Sequence, residues 1–142
     1  MASSAQASPS RKLRDWLRRH DWALYEAATD AVETQDAFAE GLGAVNKNQL
    51  RAVINTARMC SSPSTFRGFL KKRAERRRTA GQDDKANFWS ALADQLDDIQ
   101  DDHARPAVEE AGIPQARADA AQMRVLRAYF EHLISHCHVA GH

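Results

Sequence analysis

The chain has 142 residues, of which 43% are hydrophobic and 27% are charged, and this length suits one globular domain. No apolar run approaches the roughly 18 residues of a membrane-spanning helix, which excludes a helical span. Two cysteines, Cys60 and Cys137, are too few for a disulfide framework and favour a reducing compartment. The composition therefore indicates a cytoplasmic protein.

Charge is distributed unevenly along the chain. The net charge is +1, but residues 1–80 contain 15 Lys and Arg against 8 Asp and Glu, a net charge of +7. Residues 81–142 contain 5 against 11, a net charge of −6. The first part predicts an anion-binding surface, and the second could contact a basic partner or another copy of the chain.

The hydrophobic pattern predicts an all-α protein. Apolar residues recur at helical spacing, and no segment shows the alternation of a strand. Residues 1–10 are expected to form a short disordered lead, a break is expected at 41–43, and Pro106 with the turn at 112–114 should separate the last two helices. We predict a single domain over residues 11–142, a compact five-helix bundle with helices at about 11–34, 48–59, 65–80, 84–102 and 115–138.

The third predicted helix is apolar at its start and cationic at its end. Phe66 and Leu70 share an arc with Arg73 and Arg77 at about 100° per residue. Those two arginines therefore stand where core residues belong, and they either reach a polyanion or pair with acids such as those of the fourth helix. Cations at a helix C-terminus also complement the helix dipole, so a solvated end is the alternative.

The second predicted helix has a basic stripe of its own. Lys47, Arg51, Asn55 and Arg58 project within about 80° of one another, opposite its apolar face. Several cations along one face favour binding to a phosphate backbone, and no base-reading motif is present. The predicted RNA-binding residues are Lys47, Arg51, Arg58, Arg67, Lys71, Lys72, Arg76, Arg77 and Arg78.

Two other patterns in the last helix suggest chemistry. Arg127 and His132 fit the loose Arg-x4-His pattern of HEPN ribonucleases, which makes a helical ribonuclease using these two residues the alternative function, although they would point about 140° apart on a continuous helix. His132 and His136 lie one turn apart and could reach one metal ion, but no second ligand pair accompanies them. The sequence contains no Gly-rich phosphate loop and no nucleophile motif, so we expect no cofactor, no metal and no catalytic residues.

Three segments resemble one known family. Residues 46–51, Asn-Lys-Asn-Gln-Leu-Arg, are similar to the helix opening of type III CRISPR small subunits, and residues 66–76 are similar to the apolar-basic helix that follows it. Residues 130–141 resemble the closing segment of that family. The resemblance covers about residues 44–142.

This resemblance implies a non-catalytic role in antiviral defence. Members of the family are helical bundles that stack in several copies inside a ribonucleoprotein complex, beside the backbone subunits and near the large subunit. Their basic residues support the duplex of guide RNA and target RNA without reading its sequence. Arg51 matches the arginine of the family's motif, and the charge polarity suggests that copies pack head to tail.

Overall fold

The structure, a computed structural model, describes residues 8–38 and 45–141, with the backbone alone at residues 140 and 141. Within these ranges it consists of helices and turns without a strand, which confirms the predicted compact all-α bundle. Most of the predicted lead and the break at 41–43 lie outside the described residues. The helices are α1 (Pro9–Thr34), α2 (Lys47–Met59), α3 (Pro63–Thr79), α4 (Asp83–Ile99), α5 (Arg105–Glu110) and α6 (Ala118–Gly141).

Capping residues fix the starts of the first three helices. The side chain of Ser8 accepts a hydrogen bond from the backbone N–H of Arg11, so α1 already begins at Pro9, inside the predicted lead. Asn46 and Gln49 form a reciprocal capping box at the start of α2, which satisfies two N–H groups that lack helical partners. Ser62 caps α3 in the same way as Ser8 caps α1.

Pro106 does not end the fourth helix, contrary to the sequence prediction. The chain instead runs from α4 through a π-helical turn, Gln100–Ala104, directly into α5. Pro106 falls in the first turn of α5, directly after the π-helical turn, where the regular i→i−4 hydrogen bonding that a proline disrupts is already interrupted. The helix ends at Glu110, and Gly112, two residues later, has a φ of 68°, a conformation that residues with a side chain rarely adopt.

The last helix forms the centre of the bundle. α6 packs against both α1 and α2, while α3 packs chiefly along α4. Phe66 of α3 meets Phe130 of α6 edge to face, with ring centroids 5.1 Å apart, and Tyr129 and Trp89 are fully buried beside them. Each such side chain contributes about 1.5–3 kcal/mol by leaving water, so the packing of α6 determines where the outer helices lie.

Among residues 8–38 and 45–141, no helix is long and apolar enough to cross a membrane.

Candidate nucleic-acid interface

The basic stripe of α2 forms one wall of a groove against α6. Lys47, Arg51, Asn55 and Arg58 are exposed and lie together along a hollow of about 430 Å³, as their angular spacing predicted. We call this hollow the α2 groove. Its remaining lining is partly apolar and consists of Leu50, Ile54, Ile134, Ser135 and His138.

One acidic residue faces the stripe. Arg58 donates a hydrogen bond from Nη2 to Oε1 of Glu131 at 3.3 Å, and both side chains are more than half exposed. An exposed pair of this kind contributes about 0–1 kcal/mol, because water and salt screen it. Lys47 and Arg51 form no ion pair with any described residue. With respect to the described residues, the α2 groove therefore presents two cations without an ion pair and a third that is only weakly held.

A second basic surface lies at the end of α3. Lys71, Lys72, Arg76 and Arg78 are exposed, and none of them forms an ion pair within the described part of the chain. Lys72 and Arg76 border a shallow hollow of about 420 Å³. We call these four residues the α3 cluster. They are the members of the predicted α3 set that remain available to an anion.

Arg67 does not belong to that surface. Its Nε donates to Oδ1 of Asp97 at 2.6 Å and its Nη2 to Oε1 of Gln100 at 2.8 Å. Gln100 in turn donates to Gln122 of α6 at 2.8 Å, so one network joins three helices. Arg67 was predicted as an RNA contact, but the structure assigns its guanidinium to holding α3, α4 and α6 together.

Arg73 and Arg77 also have partners within the fold. The guanidinium of Arg73 lies 5.3 Å from the ring centre of Phe69 and 5.1 Å from that of Trp89. Burial, together with the neighbouring arginines, lowers the pKa of Arg73, but the group remains a cation because that pKa starts far above neutrality. Nη1 of Arg77 donates to Oε1 of Gln82 at 3.0 Å. Neither arginine pairs with an acid of the fourth helix, and Arg77, predicted as an RNA contact, is only partly exposed.

The two basic surfaces are separate. α2 packs against α6, whereas α3 packs chiefly against α4, and the two basic hollows share no lining residue. The sequence pattern suggested a single surface that continues from one helix to the next. The structure divides it because the turn after Met59 directs α3 onto a different neighbour.

The acidic face of α4 is partly paired within the fold. Asp97 accepts from Arg67, and Asp101 accepts from Nη1 of Arg105 at 2.8 Å. Burial and the surrounding carboxylates raise the pKa of Asp98, because each nearby negative charge disfavours a further one. The acidic face of α4 and of the π-helical turn that follows it is therefore an anionic patch in which Asp97 and Asp101 already form ion pairs.

Arg127 and His132 do not form a shared site. Nε of Arg127 donates to the carbonyl oxygen of Ala57 at 2.9 Å, and Nη2 donates to that of Cys60 at 3.1 Å. His132 lies on the α1 side of α6, with Nε2 2.8 Å from Oδ1 of Asp21. The arginine is thus bound to the C-terminal end of α2, and the pair offers no common position for an RNA phosphate.

The histidines of α6 are used within the fold as well. Nε2 of His136 lies 2.8 Å from Oγ1 of Thr29. Across residues 8–38 and 45–139, whose side chains the structure describes, no group of three or more His, Cys, Asp or Glu is placed to hold a metal ion.

Comparison of the chain with protein-family models found no match, and neither the curated proteins nor the solved structures gave a significant one.

Proposed function

We propose that this protein is a non-catalytic RNA-binding subunit whose α2 groove contacts the phosphate backbone of an RNA duplex. The observation that supports this most directly is the alignment of Lys47, Arg51 and Arg58 on one exposed helix face. From Lys47 to Arg58 the helix rises about 16 Å, which is long enough for several phosphates. The α3 cluster provides a second set of cations.

Binding of this kind follows from charge rather than from base contacts. Each cation that neutralises a phosphate releases condensed counterions, and this gives affinity without sequence preference. Arg51 and Lys47 are both exposed and form no ion pair with a described residue, and Arg51 lies between the other two cations of the stripe. Arg58 must leave Glu131 before it can bind a phosphate, and this exchange costs little free energy because the exposed pair is weak.

The finer proposal is that the chain is the small subunit of a type III CRISPR effector complex. It rests on the resemblance over residues 44–142, and the exposed position of Arg51 in the α2 groove is compatible with it. Its partners would be the guide RNA, the target RNA, the backbone and large subunits, and further copies of itself.

RNA affinity tests the proposed surface. We expect Arg51→Glu and Lys71→Glu each to weaken binding to 20-base-pair RNA duplexes of unrelated sequence about tenfold or more, since each replaces an attraction to phosphate by a repulsion. Fluorescence anisotropy with labelled duplexes measures this. Arg117→Glu is the matched control, because Arg117 is equally exposed but lies outside both basic surfaces. Unchanged affinity in both test variants refutes the proposed surface.

Co-purification tests the assembly. A native pull-down of the tagged protein should recover guide RNA and repeat-type backbone subunits. Recovery of the chain without either contradicts the complex, although not the RNA-binding surface. Degradation of single-stranded RNA by the purified protein, abolished by Arg127→Ala or His132→Ala, would instead establish the ribonuclease alternative.

A further inference from the structure

The outward side of α1 has a stripe of arginines that continues into aromatic residues. Arg11, Arg14, Arg18, Trp22 and Tyr25 follow one another at intervals of three or four residues. At about 100° per residue they lie within about 80° of one another and extend along about 21 Å of helix. We call this set the α1 stripe. It contributes no residue to the lining of the α2 groove.

The three arginines are available to a ligand. Arg11, Arg14 and Arg18 are exposed, and their guanidinium groups form no hydrogen bond or ion pair with any residue that the structure describes. Arg19, on the neighbouring side of the helix, is by contrast 3.5 Å from Glu110. Asp15 and Asp21 each lie about 20° outside an edge of the stripe and are exposed, so the three arginines and these two carboxylates leave a net charge of about +1.

The aromatic end of the stripe is an exposed pair of stacked rings. The rings of Trp22 and Tyr25 are 5.1 Å apart between centroids and only 16° from parallel. Trp22 is 66% exposed and Tyr25 is 38% exposed. Tyr25 is held by α6, because His132 and His136 contact its ring at centroid distances of 5.6 and 4.7 Å.

The supporting histidines are themselves fixed. Nε2 of His132 is 2.8 Å from Oδ1 of Asp21, and Nε2 of His136 is 2.8 Å from Oγ1 of Thr29. These bonds join α6 to α1 on either side of Tyr25. The stacked pair is therefore already ordered before any ligand arrives, which reduces the entropy that binding must overcome.

We propose that the α1 stripe binds an unpaired segment of nucleic acid, with the arginines on its phosphates and Trp22 stacked against a base. An exposed aromatic ring next to a row of cations is the combination that single-strand binding uses, because every base has a flat face and every linkage has a charge. Bases within a duplex are stacked on one another and offer no such face. The α1 stripe therefore binds an unpaired strand, whereas the α2 groove binds a duplex.

The surroundings of Trp22 favour this ligand over a protein partner. Protein interfaces are enriched in aromatic residues and arginine, but aspartate and glutamate are depleted from them. Around Trp22 the helix exposes the carboxylates of Asp21 and Glu26 as well as Arg18. A ring that is isolated among charges is better suited to stack on one base than to form the centre of a buried patch.

Tryptophan fluorescence tests the proposal directly. Trp16 and Trp89 are 3% and 0% exposed, so an oligonucleotide, which cannot enter the core, can stack only on Trp22 and quench its fluorescence. A 12-nucleotide oligouridylate should quench this fluorescence, whereas an abasic phosphodiester of equal length should bind more weakly and leave it unquenched. We expect Trp22→Ala and Trp22→Leu to lower the affinity about tenfold, in line with the loss of one stacked base. Trp22→Phe should retain most of it.

The arginines have a separate signature. Arg14→Gln and Arg18→Gln should each reduce the slope of log affinity against log salt concentration by about 0.7, the value for one phosphate of a single strand. Arg117→Gln should leave the slope unchanged. Circular dichroism checks that each variant remains helical, which we expect because all the altered side chains are exposed.

Several outcomes overturn the proposal. They are an absence of quenching, equal affinity for the abasic strand, and an unchanged affinity in Trp22→Ala. If Trp22→Ala loses self-association in a sedimentation experiment while Trp22→Leu retains it, the α1 stripe is a protein contact. The proposal does not rest on the α2 groove: Arg51→Glu should lose duplex binding while oligouridylate still quenches Trp22, so each surface can fail alone.

Discussion

Arg127 is predicted to stabilise the fold by holding the end of α2. The carbonyl groups in the last turn of a helix lack helical partners, and Arg127 donates to those of Ala57 and Cys60. Hydrogen bonds to a charged group contribute about 1.5–3 kcal/mol each. Since Arg127 is only partly buried, water replaces some of this on mutation, and we expect Arg127→Met to cost about 2–4 kcal/mol.

That loss is large for a chain of this size. At about 0.05–0.15 kcal/mol per residue, 142 residues have a total stability of about 7–21 kcal/mol. The expected fall in Tm is about 5–15 °C, measurable by thermal melting and by urea unfolding. Arg124→Met is the matched control, because Arg124 lies on the same helix with similar burial and without a bonded partner among the described residues. Equal melting of both variants would refute the capping role, and loss of an RNA-cleaving activity without loss of stability would indicate the ribonuclease alternative.

Three further predictions concern charge and reactivity. Glu131→Gln should strengthen duplex binding in anisotropy about two- to fivefold, since it releases Arg58 and removes a repulsion near the phosphates; weaker binding would argue against the α2 groove. Asp98→Asn should raise the free energy of unfolding at pH 7 and low salt by a few tenths of a kcal/mol. The pKa of Asp98 is raised in the fold, so the ionised side chain destabilises the fold, and this destabilisation develops as the pH rises through that pKa. The increase in the free energy of unfolding caused by Asp98→Asn should therefore vanish near pH 3. An increase that persists at pH 3 contradicts the explanation. Cys137 should resist thiol reagents at pH 8 until the protein unfolds, because burial raises its pKa to about 12, and Cys60, whose pKa is also raised by burial, should react slowly; rapid labelling of Cys137 in the native protein would contradict the packing of α6.

The fold was largely predictable from the sequence because helical periodicity is a local property. Trp16 and Leu24, eight residues apart on α1, share its buried face, and Trp22 lies outside the core. The π-helical turn at Gln100–Ala104 was not predictable, since Gln, Asp, His and Ala all occur in regular α-helices and none of them is specific to a π turn. Pro106 was misinterpreted because a local rule treats proline as an end, whereas the preceding turn gives it a first-turn position.

The candidate site was predictable only where one helix defines it. Lys47, Arg51 and Arg58 share a face because helix geometry alone sets their angles. Arg67 donates a hydrogen bond to Asp97, which is 30 residues away in sequence. The local charge pattern could not reveal this contact between two helices. Arg73 was expected to reach a polyanion or to pair with an acid, but its guanidinium lies over Trp89, and this contact exists only after α3 packs on α4.

The salt dependence of RNA-duplex binding tests the central claim most directly. If the α2 groove binds the backbone, log affinity falls linearly with log salt concentration, and replacing Arg51 by Gln reduces that slope by about one, the share of a single phosphate contact. The same substitution should weaken binding equally for duplexes of unrelated sequence. An affinity that does not vary with salt, or a slope that Arg51→Gln leaves unchanged, would contradict the account.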